Sequence, residues 1–313
     1  MNGRGTERIG TILYGANNIF SVKSGERQIQ CYLKGKILKD AEAEYNPLAV
    51  GDRVLFQEDG TGQGRILSRL ERINKIARFN KKGKRPQTIA CNVDQVLIVT
   101  SAESPPFRPR FIDRVCVVAD AEKIPPLICL NKIDLGVDKT TELRIRIFEE
   151  LGYTVFRTSA TTREGFSELK QYIEGKRTVL LGQSGTGKTS ILNVLLPGQE
   201  RKTGPISEKY NRGSHTTVLA YMEIAPEGWE IIDTPGVREF EPVGISAQNV
   251  SWFFKEFLPF RGLCLYPNCT HTLEPNCAVV DAVEKGSIHP DRYESYLRIF
   301  FALKERERVL YYE

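Results

Sequence analysis

The eight residues Gly182-Gln183-Ser184-Gly185-Thr186-Gly187-Lys188-Thr189 constrain this chain more than any other segment, because they lie between an apolar run, Val179-Leu180-Leu181, and an apolar helix pattern, Ile191 to Leu196. A strand, a glycine-rich turn and a helix in that order make a cradle of backbone N–H groups around phosphate oxygens, an approach that Cβ atoms would block. Lys188 can then reach the β and γ phosphates. The Thr189 hydroxyl, with Ser190 beside it, stands where a magnesium ion would sit. The expectation is a nucleoside triphosphate site spanning Gly182 to Ser190.

The surrounding pattern fits such a loop. Strand-like runs QVLIVT, PPLICL, YTVFRTSA, RTVLLG, TVLAYMEI and WEIIDTPG are interleaved with helical stretches around FIDRVCVVADA and TTELRIRIFEEL, the latter read with Leu143, Ile147 and Leu151 on one face. Alternation of this kind predicts a mainly parallel sheet with helices on both sides.

The base is read upstream, at Asn131-Lys132-Ile133-Asp134. A carboxylate at Asp134 accepts from the ring N–H and the exocyclic amine of guanine, whereas adenine presents the wrong donor pattern. Thr158-Ser159-Ala160 closes another strand, where a backbone N–H can meet the guanine carbonyl. Each short motif alone is weak, but together with the phosphate loop they favour GTP. Asp233-Thr234-Pro235-Gly236 fits a carboxylate near the magnesium and a Gly236 N–H for the γ-phosphate. His215-Thr216-Thr217 lies between, in a polar stretch suited to a switch; either threonine could cap the magnesium, with Thr217 preferred.

Residues 10 to 70 read as short alternating runs broken by glycines, a small β-domain of barrel type. Residues 72 to 88 carry seven Lys/Arg and no Asp/Glu. That stretch reads either as a solvated linker or as a phosphate-binding arm beside a barrel that faces nucleic acid. The net charge of +5 agrees with an anionic partner. No run approaches the roughly 18 to 20 apolar residues of a membrane span, and the polar start MNGRGTERIG lacks a secretory core, so the chain is placed in the cytoplasm without a membrane partner.

The seven cysteines are uneven in number and placement, which argues against a disulfide framework. Cys31, Cys91, Cys116 and Cys129 read as small buried thiols. Cys264, Cys269, His271 and Cys277 crowd together, with four, one and five residues between successive members. Three thiolates and an imidazole suit one structural, tetrahedral Zn²⁺ per chain and leave no open position for catalysis. Pro290 can begin a final helix at its first turn.

The guanine elements at 131 and 158 precede the phosphate loop at 182, the reverse of the usual GTPase order. In NKID, TSA, GQSGTGKT, the GSHTT stretch, DTPG and the cysteine cluster, the chain resembles the ribosome small-subunit-dependent GTPase A family (RsgA, also called YjeQ). That resemblance covers nearly the whole chain. It implies an N-terminal OB-fold barrel over residues 1–75, a basic linker over 76–90, a circularly permuted α/β P-loop GTPase domain over 91–243 and a zinc-binding, mainly helical domain over 244–313. It also implies a small-subunit ribosomal RNA partner, late maturation of that subunit, and release after hydrolysis of GTP to GDP by a monomer. Val237 stands where many GTPases carry a water-orienting glutamine, and an apolar side chain offers water no hydrogen bond. By resemblance His215 takes a catalytic role alongside Lys188, although Ser214 and Val218 depart from the family's pattern around it. The rival readings are a P-loop small-molecule kinase and an RNA-binding protein using GTP structurally.

Overall fold

The protein is described from a computed structural model covering residues 6–16, 18–33, 44–59, 62–197, 220–237 and 239–312. Five strands, β1 (Glu7–Ala16), β2 (Ile19–Ser24), β3 (Arg27–Tyr32), β4 (Arg53–Glu58) and β5 (Gln63–Arg69), close into a barrel in the order β1-β2-β3-β5-β4. Alternation drives the closure: Ile12, Val22, Ile29, Cys31, Val54, Phe56 and Ile66 all point inward and are buried. The order, with β1 returning to pair antiparallel with β4, is the OB arrangement.

The basic stretch that follows is a hairpin. Strands β6 (Lys75–Asn80) and β7 (Arg85–Cys91) pair antiparallel over most of the 76–90 segment expected as a linker. Its composition hid this, because the buried apolar residues are few, Ile76, Ala77, Ala90 and Cys91 beside the polar Gln87 and Thr88, while Lys81, Lys82, Lys84 and Arg85 stay exposed.

The central sheet has the order β10-β9-β8-β11-β13-β12, from β8 (Gln95–Ser101), β9 (Pro126–Asn131), β10 (Thr154–Thr158), β11 (Arg177–Gly182), β12 (Tyr221–Ile224) and β13 (Glu230–Asp233). Five strands are parallel; β12 pairs antiparallel at one edge. Every residue of β8 is buried, as expected for a parallel strand covered on both faces. Val96 and Ile98 join the core under α1 (Pro109–Ala121) and α2 (Lys139–Glu150), while Leu97 and Val99 join the core under α3 (Phe166–Ile173) and α4 (Lys188–Leu195).

One face assignment changes. In α2 the buried residues are Thr141, Arg144, Ile145 and Phe148, and Leu143, expected on the apolar face, is 55% exposed. The bulk of Phe148 fills the core beside Tyr153, and Arg144 turns inward because a buried carboxylate, Asp113, awaits it. Beyond residue 246 the chain runs through short 3-10 turns, then α5 (Ala278–Glu284) and α6 (Pro290–Tyr312). They share a third core built on Phe254, Phe257, Tyr296 and Phe300, which also takes Val117 from α1. Among the described residues, no helix is long and apolar enough to cross a membrane.

Candidate nucleotide site and metal centre

Parallel pairing sets the C-terminal ends of β9, β10, β11 and β13 along one edge of the sheet. Those ends carry Asn131, Thr158, Gly182 and Asp233, so four motifs spread over a hundred residues meet in one place. Ligands of open α/β sheets bind at such edges.

Asn131 ties them together. Its Nδ2 donates to the Thr186 carbonyl at 2.9 Å, and its Oδ1 accepts from Thr158 Oγ1 at 3.2 Å and from the Ala160 N–H at 3.3 Å. A Cβ at Gly187, whose φ is +94°, would fall 2.2 Å from that same Nδ2. The glycine is required there both by backbone conformation and by the close approach of the asparagine.

Lys188 begins α4 and is only 7% exposed. Its Nζ donates to the carbonyls of Gly182 at 2.8 Å and Gln183 at 3.0 Å, which holds the ammonium on the loop. Burial pushes its pKa down, and the buried Asp233 opposes that shift. Ser184 and Gly185 are exposed at the crest, Thr186 is buried with its Oγ1 on the Gln183 carbonyl, and Thr189 and Ser190 are half-buried in the first turn of α4.

The strand-end segment after β13 is bolted to the loop. Thr234 Oγ1 donates to the Leu180 carbonyl at 2.6 Å and the Val237 N–H to the Gly182 carbonyl at 3.1 Å. A Cβ at Gly236 would lie 2.8 Å from Ser184 N and Cα, so two backbones pass in contact. The Val237 side chain belongs to the core with Phe240.

Just after β9, Lys132 adopts a left-handed conformation, φ 65°, and sends its Nζ to the Ser104 carbonyl. Asp134 sits exposed on the 3-10 turn Ile133–Leu135 that follows. Ser159 is buried, and its Oγ accepts from the Thr162 N–H at 3.1 Å, which shapes the turn that presents Ala160. His215, Thr216 and Thr217, with Ser214 and Val218, lie outside the described residues.

The second centre is separate. The ligand atoms of Cys264, Cys269, His271 and Cys277 all lie within 4.8 Å of one another and can hold a metal ion. A tetrahedral zinc with S and N ligands at about 2.3 and 2.0 Å has edges of roughly 3.8 Å between sulfurs and 3.5 Å between sulfur and nitrogen. Cys264 and Cys277 Sγ are 3.9 Å apart, and His271 Nδ1 is 3.5 and 3.4 Å from them. These three edges match those of the ion's tetrahedron. Burial drives the Cys269 thiol up to about 12, so in the absence of a cation it would stay protonated. The backbone around it is pinned by Glu274, which accepts from the N–H groups of Thr270, Thr272 and Leu273, and by the Tyr293 hydroxyl on the His271 carbonyl.

Between the two centres runs a set of buried charges that the sequence reading missed. Asp113 of α1 accepts from Arg144 of α2 and from Arg292 of α6, and Arg292 also pairs with Glu256. Burial alone would push the Arg292 guanidinium down; Asp113 and Glu256 outweigh it and hold it above its ordinary range. The signal was available: Asp113 interrupts the apolar face of a helix, and a charge at a core position demands a partner.

A sequence model of the RsgA GTPase family matches residues 69–242, more than half of the chain. The chain belongs to that family. "Small ribosomal subunit biogenesis GTPase RsgA" of Borrelia garinii subsp. bavariensis is 41% identical over 295 residues, covering 94% of this chain and 95% of that protein. The protein of the same name from Chlorobaculum parvum is 36% identical over 305 residues, with 94% and 97% covered. Among solved structures, YjeQ from Thermotoga maritima superposes with a TM-score of 0.72 at 32% identity, over 95% of this chain and 99% of that one. YloQ, described as a circularly permuted GTPase, gives 0.68 at 28% identity over 98% of both. A five-stranded barrel, a permuted GTPase domain and a helical Cys/His region are therefore the family's architecture as well as this chain's, and the chain is a GTPase of that family.

Proposed function

We propose that this GTPase binds the small ribosomal subunit, assists its late maturation, hydrolyses GTP to GDP and phosphate, and then leaves. The observation that carries the nucleotide part is the tie made by Asn131, which links the base-reading ends of β9 and β10 to the phosphate loop. The names of the relatives carry the ribosomal part.

In this reading residues 182–190 hold the phosphates, with Lys188 drawn off the Gly182 and Gln183 carbonyls onto the β and γ oxygens. Asp134, with Asn131 and Lys132, reads guanine, assisted by Ser159 and Ala160. Asp233 and Gly236 face the γ-phosphate. Magnesium, accompanying GTP, would be held by Thr189 and Thr217 and would supply charge neutralisation at the β and γ oxygens. His215 serves the attacking water, since Val237 is part of the core and offers it nothing. One zinc ion per chain would be held by Cys264, Cys269, His271 and Cys277 as a structural crosslink. The working division is 1–75, 76–90, 91–243 and 244–313, in a cytoplasmic monomer whose barrel and basic hairpin meet ribosomal RNA.

The test is co-sedimentation with purified small subunits in GTP, GDP and a non-hydrolysable analogue, paired with turnover. Binding should be tightest with the analogue, weaken steeply with salt, and accompany faster hydrolysis. If subunits neither bind the protein nor accelerate hydrolysis at moderate salt, the ribosomal assignment falls and the GTPase remains.

A further inference from the structure

Beside Gln183 of the phosphate loop, the start of α1, Arg144 of α2, Glu239, Phe240 and Asp291 of α6 line a cleft of about 440 Å³. Its charged lining is Arg108, Arg110, Arg114 and Arg144 against Glu239 and Asp291. We propose that this cleft is a second anion site, for a phosphate-bearing ligand, adjoining the nucleotide site through Gln183 but filled independently of it.

The built part of the site is Arg144. It is 4% exposed, its Nη2 is spent on Asp113 at 2.9 Å, and its Nε and Nη1 have no hydrogen-bond partner among the described residues. A buried guanidinium with two idle donors is costly unless something accepts from them. The first turn of α1 adds to this. It begins at Pro109, has no acidic residue and no side-chain cap, and so leaves the positive end of a thirteen-residue helix uncompensated beside the cleft.

The neighbouring cations are unequally engaged. Arg110 pairs with Glu294 at 2.7 Å, whereas Arg108 makes no ion pair among the described residues. Glu239 is occupied by Lys81 at 2.7 Å. Positive charge therefore remains in excess, and several guanidinium forks around one cleft can share the three or more oxygens of a phosphate, where a carboxylate offers two. The volume falls in the range of small-molecule sites.

Position gives the site a consequence. Gln183 of the phosphate loop and Glu239 and Phe240 of the segment after Gly236 also line the cleft, as does Asp291 at the start of the helix that reaches the metal region. An anion held there would lie among the loop, the segment and the helix.

The experiment uses the full-length protein saturated with magnesium and a non-hydrolysable GTP analogue, so that the phosphate loop is filled. Nucleotide binding is titrated first and separately, which keeps a failure there distinct from a failure here. Inorganic phosphate is then titrated at low salt and followed by calorimetry. A further saturable site is expected, weakened about tenfold in Arg108→Ala and in Arg114→Gln and up to about a hundredfold in Arg144→Gln. The first two substitutions are at exposed or half-exposed positions and keep the test valid if Arg144→Gln does not fold. Competition by a short single-stranded RNA identifies the source as a polymer phosphate; binding of inorganic phosphate without such competition identifies a free anion. Absence of saturable binding at millimolar phosphate, or equal affinity in wild type, Arg108→Ala and Arg114→Gln, overturns the proposal.

Discussion

The phosphate loop and the Cys/His cluster are both short, glycine- or proline-punctuated segments, yet they are held in opposite ways. Around the loop, β8, β9 and β11 are buried on both faces, and Asn131, Thr234 and Lys188 fasten the turns to one another through hydrogen bonds that need no ligand. Around the cluster, the chain from 247 to 277 makes only 3-10 turns, and the local fastening depends on Glu274, two tyrosine hydroxyls and the four ligand side chains. A site built on a sheet inherits its shape from the core. A site built on turns must make its own, and a metal is the strongest local means of doing so.

Stripping the proposed zinc is the harshest test of that contrast. A structural zinc site contributes on the order of 10 kcal/mol, so chelation or Cys269→Ser should unfold residues 247–289 while the nucleotide analogue still binds. Limited proteolysis with mass mapping reads the first effect and fluorescence titration the second. Loss of nucleotide binding in step with the metal would mean that the two regions are one cooperative unit.

The buried charges between the regions come next. Replacing Arg292 with methionine leaves Asp113 and Glu256 without a shared partner, a change expected to cost about 3 to 5 kcal/mol. The urea midpoint should fall for both the α6 region and the sheet, because Asp113 belongs to one and Glu256 to the other. A drop confined to α6 would show that the link is one-sided.

Lys188→Ala should leave the fold intact and reduce GTP hydrolysis about 10²- to 10³-fold, since its ammonium is the cation nearest the loop. An unchanged thermal melt beside undiminished single-turnover hydrolysis would remove it from the site.

Smallest is the base-reading step. Asp134→Asn should weaken GTP binding about ten- to a hundredfold and restore affinity for xanthosine triphosphate, as expected for loss of one charge-assisted pair. Equal GTP affinity in the two proteins would place guanine recognition elsewhere.

Several elements were legible without coordinates because their signals are local. The loop glycines, the strand before them and the helix after them are contiguous, and the three central parallel strands, β8, β9 and β11, announce themselves as apolar runs. The α2 face was misread because Leu143, Ile147 and Leu151 satisfy helical spacing as well as Ile145 and Phe148 do, and periodicity does not say which stripe finds the core. The basic stretch concealed a hairpin for a related reason: a few buried apolar residues suffice beside the main-chain ladder of β6 and β7.

By itself, then, the order of residues determined which chemical groups the chain carries: a glycine-rich loop with its lysine, a carboxylate proposed to read guanine, and three thiols with an imidazole, each encoded within a few positions. Tertiary structure alone decided which partners meet across long separations. Asn131 reaches Thr186 because β9 and β11 both flank β8; Arg292 finds Asp113 and Arg144 lines an arginine-rich cleft because three helices converge there. Side-chain types are written one at a time, but a buried charge is compensated only by what the fold carries to it, and that depends on every strand and helix between them.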